Sequence, residues 1–254
     1  MKSRFHVLLN DVSLESLNEN IAVTDIAYPP SATEYTVANF AGRSGGMAVR
    51  NHKRELTVTV TFELHEYGTQ QRQNACQEII SWAKNGGKLQ TSDRPDQYLQ
   101  CVCTQLPSLE SASKWTDSLT VEFTAYTVPY WQGLYPSKLT ISGASAEGVI
   151  FVPGNGETRP NVKITANTAI TTLTVTFWNT SIALNGLTVA QDDVITIAHD
   201  ENGILSIKSG ETSLLAKRSV TSSDDLVAEC GSIQVSVTAS GSVTAEFTVK
   251  GVWN

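Results

Sequence analysis

From Glu55 to Leu64 the chain alternates without a break. Leu56, Val58, Val60, Phe62 and Leu64 fall on one side, and every residue between them is Thr or Glu. A period of two over this length predicts a strand with one buried face. Ser118–Tyr126 repeats the pattern through Leu119, Val121, Phe123 and Ala125. Three more sets follow in the second half: Leu173, Val175 and Phe177; Ile233, Val235 and Val237; Val243, Ala245, Phe247 and Val249. One segment has a different period. Ala75, Cys76, Ile79, Ile80 and Ala83 line one face of a helix, and Gln70, Gln71, Arg72, Glu78 and Lys84 fill the other. Thr69 is the candidate N-cap and Gly86-Gly87 the stop. The apolar stripe should pack on a sheet containing 55–64 and 118–126. Trp82 lies off its centre, which suits a rim or interface position.

Pro129-Tyr130-Trp131, followed by Gly133 and Pro136, ends a strand and opens new structure, so a boundary is expected within 129–137. Beyond it no helical period occurs. Short strands separated by Asn185-Gly186, Asp192-Asp193, Asn202-Gly203 and Ser209-Gly210 read as an antiparallel β-sandwich. Residues 28–54 fit neither pattern. They open on Tyr28-Pro29-Pro30-Ser31 and carry His52, Arg43, Arg50, Lys53 and Arg54. Such a loop is long for a compact domain. It is either a mobile or self-packed surface loop, or one ordered by contact with another molecule.

Composition narrows the function classes. With 41% hydrophobic and 17% charged residues in 254, the chain can bury real cores. The net charge is −7, divided as 11 basic and 14 acidic residues over 1–131 and 7 and 11 over 132–254, or −3 and −4. Neither half is a basic nucleic-acid binder. No apolar run approaches a membrane span. The short run Phe5–Leu9 after Met1-Lys2-Ser3-Arg4 reads as a strand rather than a secretory core, so synthesis in the cytoplasm and a soluble product are expected. The four cysteines, 76, 101, 103 and 230, match no redox or zinc spacing and read as buried reduced thiols.

Catalytic and cofactor motifs are missing. His6, His52, His65 and His199 sit in no triad setting, and there is no Gly-x-Ser-x-Gly elbow. Asp192-Asp193 and Asp224-Asp225 hold oxygens suited to calcium, but paired aspartates between strands are ordinary turn formers. Glu122 and Asp96 are carboxylates that one sequence cannot pair for glycoside hydrolysis. Gly42–Gly46 leads from no strand into a helix, so it is no phosphate loop. No cofactor or metal is expected, and no enzymatic activity.

The order of features in 42–131 carries a resemblance. A loop Gly42-Arg43-Ser44-Gly45-Gly46 precedes the alternating strand; the helix, Arg94-Pro95-Asp96-Gln97-Tyr98, a further strand and the Pro-Tyr-Trp stop follow. This resembles the N-terminal domain of the distal tail (Dit) proteins of long-tailed bacteriophages, with Ser44 where the family's Gly-Arg-Asp-Gly loop has Asp. Asn155-Gly156-Glu157 with Pro160 is similar to the family's Asn-x-Gly…Pro opening of its C-terminal sandwich. The resemblance implies a mostly β protein: an N-terminal β-sandwich-like domain with one α-helix over 1–131, and a galectin-like β-sandwich or jelly roll over 137–254.

By function, it implies a virion structural protein at the tail tip. A ring, expected to be sixfold, would join the tail tube protein to the tail tip protein and to receptor-binding or baseplate proteins, and DNA would pass without specific binding. Arg43, Arg50, Lys53, Arg54 and Trp82 are then the subunit-interface candidates. The rival reading is a carbohydrate-binding adhesion module. Its candidate residues are Trp178 and Asn179 with Asn185, although the galectin signature of a His-Asn…Arg run and a Trp-Gly pair is missing.

Overall fold

The computed structural model describes residues 3, 5–29, 33–39, 46–53, 55–65, 68–108, 118–126, 130–199 and 204–253; over 33–39 and 46–53 the description is of the backbone, apart from the exposed Thr36. The chain forms two compact units, Met1–Trp131 and Gln132–Trp253.

Among the described residues the first unit holds nine strands: β1 (Val7–Leu9), β2 (Val12–Ser13), β3 (Ile21–Ala27), β4 (Thr33–Asn39), β5 (Gly46–Lys53), β6 (Leu56–Leu64), β7 (Gly87–Thr91), β8 (Arg94–Gln105) and β9 (Ser118–Ala125). A one-turn helix α1 (Leu14–Leu17) and the long helix α2 (Thr69–Ala83) complete it. One sheet runs β3-β6-β9-β8 and the other β2-β1-β7-β8. The long β8 serves both: Arg94–Cys101 pairs with β7 and Val102–Gln105 with β9. The alternation in β6 buries Leu56, Val58, Val60, Phe62 and Leu64, each worth about 1.5–3 kcal/mol by removal from water. β1 and β2 are joined by Asn10-Asp11, both at positive φ (53° and 64°), as a tight turn between twisted strands demands.

α2 begins one residue earlier than its sequence suggests. Gly68 is the N-cap and Thr69 is the first helical residue, so the threonine hydroxyl does not cap. Gly86 ends the helix at φ +60°, its N–H donating to the Ala83 carbonyl at 2.9 Å. Arg72 is buried, not on the solvent face: it stands three and four residues before Ala75 and Cys76 and so shares their stripe.

The 28–54 segment is not an irregular loop. β4 and β5 pair antiparallel in a two-stranded sheet of their own, from Thr33↔Lys53 to Asn39↔Gly46. Arg43 and Arg54 lie outside the described residues, and Arg50 and Lys53 are described as backbone on β5.

After a short strand at the junction, β10 (Trp131–Gly133), the second unit contains β11 (Ser137–Thr158), β12 (Pro160–Ala166), β13 (Ile170–Phe177), β14 (Thr180–Val189), β15 (Val194–His199), β16 (Leu205–Ser209), β17 (Thr212–Ser213), β18 (Ala228–Val249) and β19 (Val252–Trp253). The two strands expected at 233–237 and 243–249 are one strand. β18 and β11 run side by side for almost their whole length, and both turn from one sheet into the other. Their ends near Val249 and Ser137 join β12, β15, β16 and β17; their other halves join β13 and β14. The corner in β18 lies at Ser240-Gly241-Ser242. There Thr171 N–H donates to Ser240 Oγ (2.8 Å) and Ser242 N–H to Thr168 Oγ1 (3.0 Å). The two sheets enclose a core that includes Phe177, Phe247, Ile164, Ile195 and Val237. Asn185-Gly186 is not a turn between strands. It lies inside β14 as a bulge, with Gly186 at φ +64° and the pairing shifted between Ile170 and Thr172.

Candidate functional site

A cleft lies on the outer face of the β11-β18-β13 sheet. Register sets it. Glu147 pairs with Ser236, which pairs with Thr176, and the three form a row across the strands. In the next row Val149 pairs with Gln234, whose carbonyl accepts the Trp178 N–H at 2.8 Å. These six residues, with Gly148 and Val235, line a cleft of about 340 Å³.

Trp178 is the first residue of the two-residue turn between β13 and β14 and has φ +55°. A bulky side chain in that region costs about 1–2 kcal/mol, which Asn or Gly would avoid. The residue is 49% exposed, so burial does not repay the strain. Asn179 is the other turn residue and is exposed. Asn185 does not join them: it pairs with Thr172, five residues along β14 from Thr180 and so roughly 17 Å away along the strand. Periodicity alone did not mark Glu147, Val149, Gln234 and Ser236, because their shared surface depends on which strands become neighbours. The available signal was Val149 and Phe151, two large apolar residues that the alternation places outward, at 59% and 66% exposure.

The other candidates are committed internally. Asp225 accepts from Arg159 Nε at 2.7 Å, from the Leu226 N–H and from His199 Nε2. Burial pushes its carboxyl up, but the bonds from Arg159 and His199 outweigh burial and hold it below the ordinary value. Asp224 pairs with Arg218 at 2.9 Å, and Asp193 accepts the Ala190 N–H in a turn. Among the described residues no group of three or more His, Cys, Asp or Glu is placed to hold a metal. His6 bonds Glu15, while Ser92 Oγ accepts the His6 backbone N–H, so the nearby cleft of about 350 Å³ lacks a serine bonded to an imidazole among the described residues. All four cysteines are free thiols; burial pushes Cys101 up to about 12, far from a reactive thiolate.

Trp82 is half-buried, and its indole is used within its own unit. Nε1–H donates to the Val12 carbonyl (2.9 Å), and the ring meets Phe62 and Phe123 edge-on at 6.0 and 5.9 Å. It ties α2 to its sheet. The Arg94 and Pro-Tyr-Trp segments also meet. Trp131 is buried, the Arg94 guanidinium lies 4.9 Å from its ring and 5.1 Å from that of Tyr28, and the two rings are 5.7 Å apart. The Tyr28 hydroxyl donates to Asp93 at 2.7 Å; burial and that bond push the phenol well above its ordinary value. The stop motif thus closes the first unit by packing.

These features define a mostly β, two-unit protein with an open cleft on one sheet face of its second unit. No family model matches the chain, and no curated protein matches it. Solved structures do. The crystal structure of the Dit protein of phage SPP1, described as a paradigm of hub adsorption apparatus in Gram-positive infecting phages, matches 96% of this chain and 98% of its own, with a TM-score of 0.68 at 13% identity. The phage P2 baseplate in its activated conformation with Ca gives a TM-score of 0.49 at 12% identity over 97% of both chains. By its likeness to the SPP1 protein the chain has a Dit-like fold over nearly its whole length, as the order of its sequence motifs implied.

Proposed function

We propose that this chain is a structural hub of a phage tail tip. The observation that carries the reading is the fold match to the SPP1 Dit protein, which spans both units rather than one common sandwich. In this reading copies of the chain form a closed ring, sixfold, between the tail tube protein on one side and the tail tip protein on the other. Receptor-binding or baseplate proteins dock on the C-terminal units. A closed ring needs heterologous contacts, where one surface meets a different surface of the next copy. The β4–β5 hairpin suits that role, because among the described residues it pairs with no other strand of its unit and it carries Arg50 and Lys53, with Arg43 and Arg54 beside it in sequence. Trp82, half-buried while its indole fixes α2, is the further residue assigned to the contact with the next copy. DNA passes through the ring unbound.

Light scattering across a concentration range, with negative-stain imaging of the same sample, tests the reading. Rings of about six chains with a central hole are expected. A chain that stays monomeric and also fails to add to purified tail tubes sinks it.

A further inference from the structure

We infer that the cleft between Trp178 and Glu147 is a binding site for a neutral saccharide. It goes beyond the hub reading and does not depend on it.

The lining has the make-up a pyranose requires. A sugar ring has an apolar C–H face and an edge of hydroxyls. Trp178 supplies an exposed indole for the face. Glu147, Gln234, Ser236 and Thr176 supply a carboxylate, an amide and two hydroxyls for the edge. None of these four side chains is taken up by a hydrogen bond or ion pair to another described residue, in contrast to Asp224 and Asp225.

The spacing fits as well. Same-face residues two apart on a strand lie about 7 Å from each other, so a ring stacked on Trp178 reaches the Glu147–Ser236–Thr176 row with its hydroxyls. The row spans three strands, about 10 Å, the length of a disaccharide. Glu147 is the one charged group in the lining, and it repels acidic sugars while accepting from hydroxyls. The strained turn fits the same reading, since it holds a large ring out from the sheet at a position where a small residue would sit without strain.

The test uses the full chain and saturation-transfer NMR with four disaccharides at millimolar concentration: lactose, cellobiose, maltose and chitobiose. Transfer to at least one is expected. Trp178→Asn suits the positive φ, so it keeps the fold and should weaken binding by about tenfold or more, while Trp178→Phe retains part of it. Glu147→Gln should weaken binding severalfold. Ring assembly should be unchanged in all three variants, which separates this proposal from the hub reading. No transfer from any of the four sugars, or binding that survives Trp178→Asn, overturns the proposal. So does a self-association lost in Trp178→Asn with no sugar bound, which would make the cleft a protein contact.

Discussion

Asp225 sits where three segments meet: Arg159 at the start of β12, His199 at the end of β15 and Leu226 before β18 all donate to it. Its folded-state carboxyl titrates below its unfolded value, so its contribution is full above the ordinary carboxylate range and is lost as pH falls through the folded value, below about pH 4. Asp225→Asn should cost about 1–2 kcal/mol at neutral pH, a figure held down because the side chain is 25% exposed. The stability gap from the parent should close as the pH drops below about 4. Thermal midpoints of both proteins against pH check this, and a gap of constant size would contradict it. Arg94 is a second case. Arg94→Ala uncovers the Trp131 ring and removes its contact with Tyr28, at a cost of about 1–2 kcal/mol. Arg94→Lys should recover less than half of that, because an ammonium cannot stack flat on two rings. Denaturant midpoints decide it.

Elements with one buried face and one exposed face were legible in the sequence. β6, β9 and β13 stand where the alternation placed them, because period two is the direct trace of a half-buried strand. The β11–β18 corner was not legible. Alternation in β18 lapses at Ser240-Gly241-Ser242, as at a turn, yet the chain bends there without reversing. The candidate cleft was half legible for the same reason: Trp178 stood out as an aromatic candidate, but its neighbours come from β11 and β18. The β4–β5 hairpin was hidden because its apolar alternation is short, Tyr35 and Val37 on one strand and Met47 and Val49 on the other, and among the described residues it pairs with no other strand. That independence gives a prediction. Replacing residues 33–53 by a short Gly-Ser linker leaves both sheets of the first unit intact, so the thermal midpoint should move little while assembly into rings is lost. A large fall in the midpoint would make the hairpin part of the core, and rings that persist would remove it from the subunit contact.

At the scale of the whole molecule, charge decides what a ring of this chain does with DNA. The −7 is shared between the units as −3 and −4, so the proposed ring of six copies would bring a large negative field rather than a basic collar. Binding to a duplex gains its affinity from clustered Lys and Arg that release counterions, and that gain grows as salt is lowered. An acidic ring has no such term, and lowering the salt lengthens the range of repulsion, to about 14 Å at roughly 50 mM if the screening length scales with the inverse square root of ionic strength. The expected outcome is therefore no retardation of linear duplex DNA in a gel-shift assay near 150 mM salt and none near 50 mM, with assembled rings as well as with free chains. A shift that appears as salt falls would mean that the basic residues of each copy, Arg43, Arg50, Lys53 and Arg54 among them, gather on the lumen instead of on a neighbouring subunit. That result would reverse the hairpin's assigned direction and the free passage of DNA together.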